Sequence, residues 1–189
     1  MKELVILGGA NGAGKTTAAA ALLPDRIAVR EFVNADEIAR GLSPFNPGTA
    51  AFAAGRLMIE RMRELIEAGS SFSFETTCAG IGHSRLVRDC KDAGYRVTLL
   101  FLWLPSPELA VARVADRVRL GGHGVPVEVI VRRYWVGLRN MRRLYLPLAD
   151  LGLVYDNSDA GRVLIAESGS AGIRVYDRAR WALIEEAAK

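Results

Sequence analysis

The run Gly9, Ala10, Asn11, Gly12, Ala13, Gly14, Lys15, Thr16 and Thr17 has the residue types and spacing of an anion cradle. It fills every defined position of G-x-x-x-x-G-K-[ST]. Glycines let the chain aim successive backbone N–H groups at one centre. A helix opening at the lysine adds the partial positive charge of its N-terminus. Lys15 can then reach the β- and γ-phosphates of a nucleoside triphosphate, and the Thr16 hydroxyl can hold Mg²⁺. A GTPase would also carry an Asn-Lys-x-Asp base-reading motif, and the chain has none. The expected ligand is ATP with Mg²⁺, contacted by residues 9–17.

Two acids stand where such a ligand would lie. Asp36 follows a short apolar segment in the turn Asn34-Ala35-Asp36, and Glu75 ends the segment 71–75 just before Thr76 and Thr77. In a doubly wound sheet both would reach the carboxyl edge, where ligands bind. Asp36 can take the proton of an attacking hydroxyl, or merely cap the helix that follows it. Glu75 with Thr77 can bind acceptor hydroxyls, orient a water on Mg²⁺, or bond a neighbouring loop.

Eight arginines fall between Arg113 and Arg143. A helix ending in Arg117 and Arg119, the loop Gly121-Gly122-His123-Gly124-Val125-Pro126, and a return helix carrying Arg132 and Arg133 have the layout of a lid over residues 113–143. Closing guanidinium groups over a triphosphate excludes water and neutralises charge. A solvated basic helix face is the plainer alternative.

The elements that must position these groups follow from periodicity. Strands are expected at 3–7, 27–33, 71–75, 95–104 and 151–155, the first followed by a helix over 15–23 stopped by Pro24. Phe52, Ile59, Met62 and Ile66 mark an amphipathic helix over 49–68. Further helices are expected at 84–93, from Ser106-Pro107-Glu108 onward, and at 127–141. A hairpin over 162–175 and a helix over 177–188 close the chain. Alternating strands and helices imply an α/β, three-layer fold with a mostly parallel five-stranded sheet, helices on both faces, a helical lid, and a terminal β-hairpin plus helix.

With 189 residues, half of them hydrophobic and no linker or repeat, residues 1–189 read as one domain. Cys78 and Cys90 lack metal-ligand spacing, and His83 and His123 are isolated. Trp103, Trp135 and Trp181 read as core or edge packing, without the basic-aromatic interleaving of an RNA surface. No leader is visible, and the apolar run 97–104 is too short to span a bilayer. A cytoplasmic protein is expected, without membrane or nucleic-acid partners. A nucleic-acid-associated ATPase is the rival class; its affinity would fall steeply with salt.

Several segments together resemble the zeta toxin family of P-loop kinases: GGANGAGKTT, FVNADEIARGLSPFNP, FSFETT, RVRLGGHGVPVEVIVRRY and the YDNS turn, spanning residues 4–158. The wording is that of the short chromosomal members, without the extended C-terminal region of the plasmid toxins. The resemblance implies a kinase with Asp36 as base and with Glu75 and Thr77 on the acceptor. Arg117 and Arg132 or Arg133 would stabilise the moving phosphoryl group. It implies UDP-N-acetylglucosamine, phosphorylated at the sugar 3′-hydroxyl, as the leading acceptor, with another metabolite or an antibiotic as alternatives. An antitoxin protein is the implied partner.

Overall fold

The computed structural model describes residues 1–22, 29–159 and 161–189. Lys2–Gly9 forms β1, whose Leu4–Leu7 core is wholly buried. The glycine-rich turn leads into α1 (Lys15–Leu22). Then come β2 (Glu31–Val33), α2 (Ala35–Leu42), a 3₁₀ turn at Pro47–Ala50 and α3 (Ala51–Glu67). β3 (Phe72–Thr76), α4 (Gly82–Asp92), β4 (Tyr95–Trp103) and α5 (Pro107–Arg119) follow. α6 (Val127–Asn140) runs into a π-helical turn, Met141–Tyr145, and one short turn, α7 (Leu146–Leu148). β5 (Leu151–Asp156), β6 (Val163–Gly169), β7 (Gly172–Val175) and α8 (Arg178–Ala187) complete the chain.

The sheet has seven strands in the order β2-β3-β1-β4-β5-β6-β7, not the five expected. β1 to β5 pair in parallel; the hairpin joins β5 antiparallel. Without β6, β5 would present a row of unpaired N–H and C=O groups, which is why the hairpin extends the sheet instead of standing apart. β1 and β4 read as continuous apolar runs because strands covered by helices on both faces have no wet side.

Two local expectations change, and the tryptophans pack at core and edge as expected. The second strand covers only Glu31–Val33 among the described residues; Pro24, Ile27 and Ala28 lie outside them. α3 turns Ala54, Met58, Met62 and Leu65 to the core, which leaves Phe52 80% exposed at its first turn, under the Arg56 guanidinium. Trp103 and Trp181 are buried, whereas Trp135 is half exposed and meets Tyr134 edge-on.

The register decides where the polar groups meet. Val33 pairs with Phe74, Ile6 with Phe74 and Gly8 with Thr76, so β1, β2 and β3 end within about three residues of one another along the strand direction. Three chain reversals therefore open at one edge: the cradle after β1, Asn34 after β2, and Glu75 to Gly80 at the end of β3. β1 is also where strand order switches direction, the place where open α/β sheets form a crevice.

Candidate active site

The cradle has the backbone the motif requires. Gly14 has φ +80°, and a Cβ built there would stand 2.8 Å from Nδ2 of Asn157, so both conformation and space exclude a side chain. That Asn157 amide donates to the carbonyl of Ala13 at 2.8 Å. Asn157 and Ser158 are themselves fixed by Arg113, which donates to both of their carbonyl oxygens. Lys15 is buried and folds back over the loop, its Nζ donating to the Ala10 carbonyl at 2.9 Å.

Glu75 gathers the neighbouring groups. Its Oε2 accepts from the Thr16 hydroxyl at 2.8 Å and from Asn34 Nδ2 at 2.9 Å; its Oε1 stands 3.5 Å from Lys15 Nζ. Asn34 also caps α2, its Oδ1 accepting from the backbone N–H groups of Asp36 and Glu37. The cap is therefore Asn34, and the exposed carboxylate of Asp36 is not needed for it. The sequence reading missed Asn34; the Asn at N-cap spacing before Asp36-Glu37 was the signal that could have found it.

A hydroxyl and a carboxylate side by side form the all-oxygen donor set that suits a hard cation. Thr16 and Glu75 thus fit Mg²⁺, and the open N-terminus of α1 beside Lys15 fits phosphate.

Lys15, Asp36, Glu75, Thr77, Arg132 and Arg133 all line one cleft of about 610 Å³, together with Asn11, His83 and Val136. Arg117 does not line it: its Nη2 donates to the His123 carbonyl at 2.7 Å, bracing the glycine loop. Two cleft residues had no assigned chemistry. Asn11 is buried, and its Oδ1 has no hydrogen-bond partner among the described residues. His83 packs on Phe74, and burial holds its imidazole below the ordinary value, so it is neutral at pH 7. Its Nδ1 lies 3.3 Å from the Thr76 hydroxyl.

The basic run divides by role. Arg113 holds the Asn157 loop, Arg119 pairs with Asp116, Arg142 pairs with Glu185 under Trp181, and Arg143 binds the Lys189 carbonyl. Only Arg132 and Arg133 of the eight face the cleft.

The zeta toxin family model matches residues 1–167. The chain belongs to the zeta toxin family. An uncharacterised Haemophilus influenzae protein is 30% identical over 126 residues, 67% of this chain and 88% of that one. Among solved structures, that of the PezAT chromosomal toxin–antitoxin system of Streptococcus pneumoniae superposes with TM-score 0.66 at 16% identity, over 99% of this chain and 78% of that one. The AvrRxo1-ORF1:-ORF2 complex with ATP gives TM-score 0.77 at 17% identity, over all of this chain but 64% of the other. These likenesses give this chain a P-loop kinase fold. Among its described residues, no helix is long and apolar enough to cross a membrane.

Proposed function

We propose that this chain is an ATP-dependent kinase that transfers the γ-phosphate to a hydroxyl of a small molecule, with a UDP-activated sugar such as UDP-N-acetylglucosamine as leading acceptor. The observation that carries the reading is that one cleft is lined by the cradle lysine, by Asp36 and by two arginines. Its volume of about 610 Å³ lies within the roughly 300–1,000 Å³ typical of ligand sites. Residues 1–189 act as one domain, with 113–143 as lid.

In this reading residues 9–17 bind the triphosphate through backbone N–H groups and Lys15. Thr16, with Glu75, would hold Mg²⁺, which would neutralise phosphate charge. The bond between Glu75 and Thr16 supports Glu75 as a metal-side carboxylate; Thr77 remains on the acceptor side, beside Ala79 and Gly80. Asp36 accepts the acceptor's hydroxyl proton as its oxygen bonds to the γ-phosphorus. The bond from that phosphorus to the bridging oxygen breaks and ADP leaves. Arg132 and Arg133 stabilise the charge on the phosphoryl oxygens. Arg117 would join them only by exchanging the His123 carbonyl for phosphate, carrying the 121–126 loop with it. An antitoxin partner rests on the family and on the PezAT likeness.

The test is to incubate the purified protein with ATP, Mg²⁺ and UDP-N-acetylglucosamine, following ADP release and the mass of the sugar nucleotide. Gain of one phosphoryl group is the expected result. Turnover of an antibiotic or another metabolite, with none of UDP-sugars, would replace the acceptor. Salt-sensitive RNA or DNA binding without any hydroxyl acceptor would overturn the kinase reading.

A further inference from the structure

Three consecutive carbonyls beyond β3 are held by side chains from a distant part of the chain. Asn140 Nδ2 donates to the Cys78 carbonyl at 2.8 Å and to the Ala79 carbonyl at 3.2 Å. The Tyr145 hydroxyl donates to the Gly80 carbonyl at 3.0 Å. The turn they hold is unusual: Cys78 has φ +59°, a left-handed conformation that non-glycine residues adopt only at a steric cost.

The same helix presses on this turn with its backbone. A Cβ at Gly137 would stand 2.4 Å from the Thr77 carbonyl oxygen, so only glycine permits the approach. Arg133, Gly137 and Asn140 follow one another at spacings that share a helix face. Arg133 lines the cleft from that face, and Thr77, Ala79 and Gly80 line it from the turn. The π-helical turn at Met141–Tyr145, a feature often found at functional sites, carries Tyr145 to the carbonyl after the two Asn140 holds.

We propose that Asn140, with Tyr145, is a positioning clamp that fixes the acceptor-side turn 77–80 relative to the arginines of α6. It contacts neither nucleotide nor reacting atoms. The inference rests on the kinase reading of the cleft for its catalytic consequence, but not for its structural one. Because the clamp spans the acceptor turn and not the cradle, loosening it separates acceptor binding from ATP binding. A small error of placement is enough, since transfer depends on near-attack geometry.

Asn140→Asp keeps the side-chain size and removes both donors. Two measurements apply: amide hydrogen exchange of peptides covering 76–82 and 9–18, and steady-state kinetics with UDP-N-acetylglucosamine as acceptor. The variant should exchange about tenfold faster across 76–82 with 9–18 unchanged, raise the acceptor KM about tenfold and leave the ATP KM within about twofold. Unchanged exchange at 76–82, or ATP and acceptor KM rising together, would overturn the clamp. If the wild type fails to phosphorylate UDP-N-acetylglucosamine, that acceptor falls, and exchange alone judges the clamp. Should Asn140→Asp not fold, Tyr145→Phe, which removes one hydroxyl, takes the same two measurements with the same expected pattern.

Discussion

The Thr16 hydroxyl donates to Oε2 of Glu75 at 2.8 Å, joining the start of α1 to the end of β3 across 59 residues of sequence. The bond ties the residue expected to hold Mg²⁺ to the acid whose role the sequence left open. It also places Glu75 within reach of the buried Lys15 ammonium, so one carboxylate faces both the cradle's hydroxyl and its cation.

Glu75→Ala should therefore act twice. Loss of three polar contacts beside a buried lysine should lower stability by about 2 kcal/mol, read as a lower denaturant midpoint. Transfer should fall by roughly 10²–10³-fold, with more Mg²⁺ required for half-maximal rate, as for loss of one preorganised electrostatic partner. An unchanged Mg²⁺ requirement would return Glu75 to the acceptor side.

Asp36→Asn should leave the fold intact, because Asn34 and not Asp36 caps α2. ATP affinity, followed by fluorescence of a nucleotide analogue, should stay within about twofold, while transfer falls by about 10²–10⁴-fold. Full transfer by this variant would remove the base.

His83 gives a pH dependence with a definite sign. Burial lowers its pKa beneath the ordinary 6.5, so the unfolded chain takes up the proton first. Stability is then constant above about 6.5 as far as this group is concerned, and declines as pH falls below it, by at most about 1.4 kcal/mol per pH unit. Denaturation of wild type and His83→Gln between pH 7.5 and 5 should give curves that converge toward low pH. Parallel curves would mean that the imidazole is as solvated folded as unfolded.

How much of this was visible in the chain itself differs by kind of interaction. The cradle was legible because its chemistry is local: one glycine-rich turn, one lysine, one helix start. Asp36 and Glu75 were placed at the correct edge because strand ends in a parallel sheet share it. The bonds from Asn34 to Glu75 and from Asn140 to Cys78 were not legible, since each depends on strand register or on where a distant helix docks. The arginine run shows the limit most clearly. Composition marks eight equivalent cations, but Arg113 and Arg143 spend their donors on backbone carbonyls, and Arg119 and Arg142 on nearby acids. The hairpin was legible as a hairpin, but which sheet edge it covers is a tertiary fact.

Both thiols are buried, and burial pushes Cys78 and Cys90 up to about 12. At pH 8 the thiolate fraction is of the order of 10⁻⁴. A disulfide reagent should therefore find no fast-reacting thiol in the folded protein and two after denaturation. Rapid modification of the native protein would show that the turn at Cys78 opens readily.

Arg113 provides the sharpest test of how the basic run is divided. Its guanidinium donates through Nη1 and Nη2 to the Asn157 and Ser158 carbonyls, and Asn157 in turn holds the Ala13 carbonyl of the cradle. The effect of Arg113 on phosphate binding is thus transmitted through backbone, not through its charge. Arg113→Lys preserves the charge but cannot reproduce a two-pronged grip. It should raise the ATP KM about tenfold, equivalent to about 1.4 kcal/mol, nearly as much as Arg113→Ala, with the acceptor KM little changed. Were Arg113 instead a phosphate ligand acting by charge alone, lysine would restore most of the affinity and alanine none, and the two variants would differ widely at low salt.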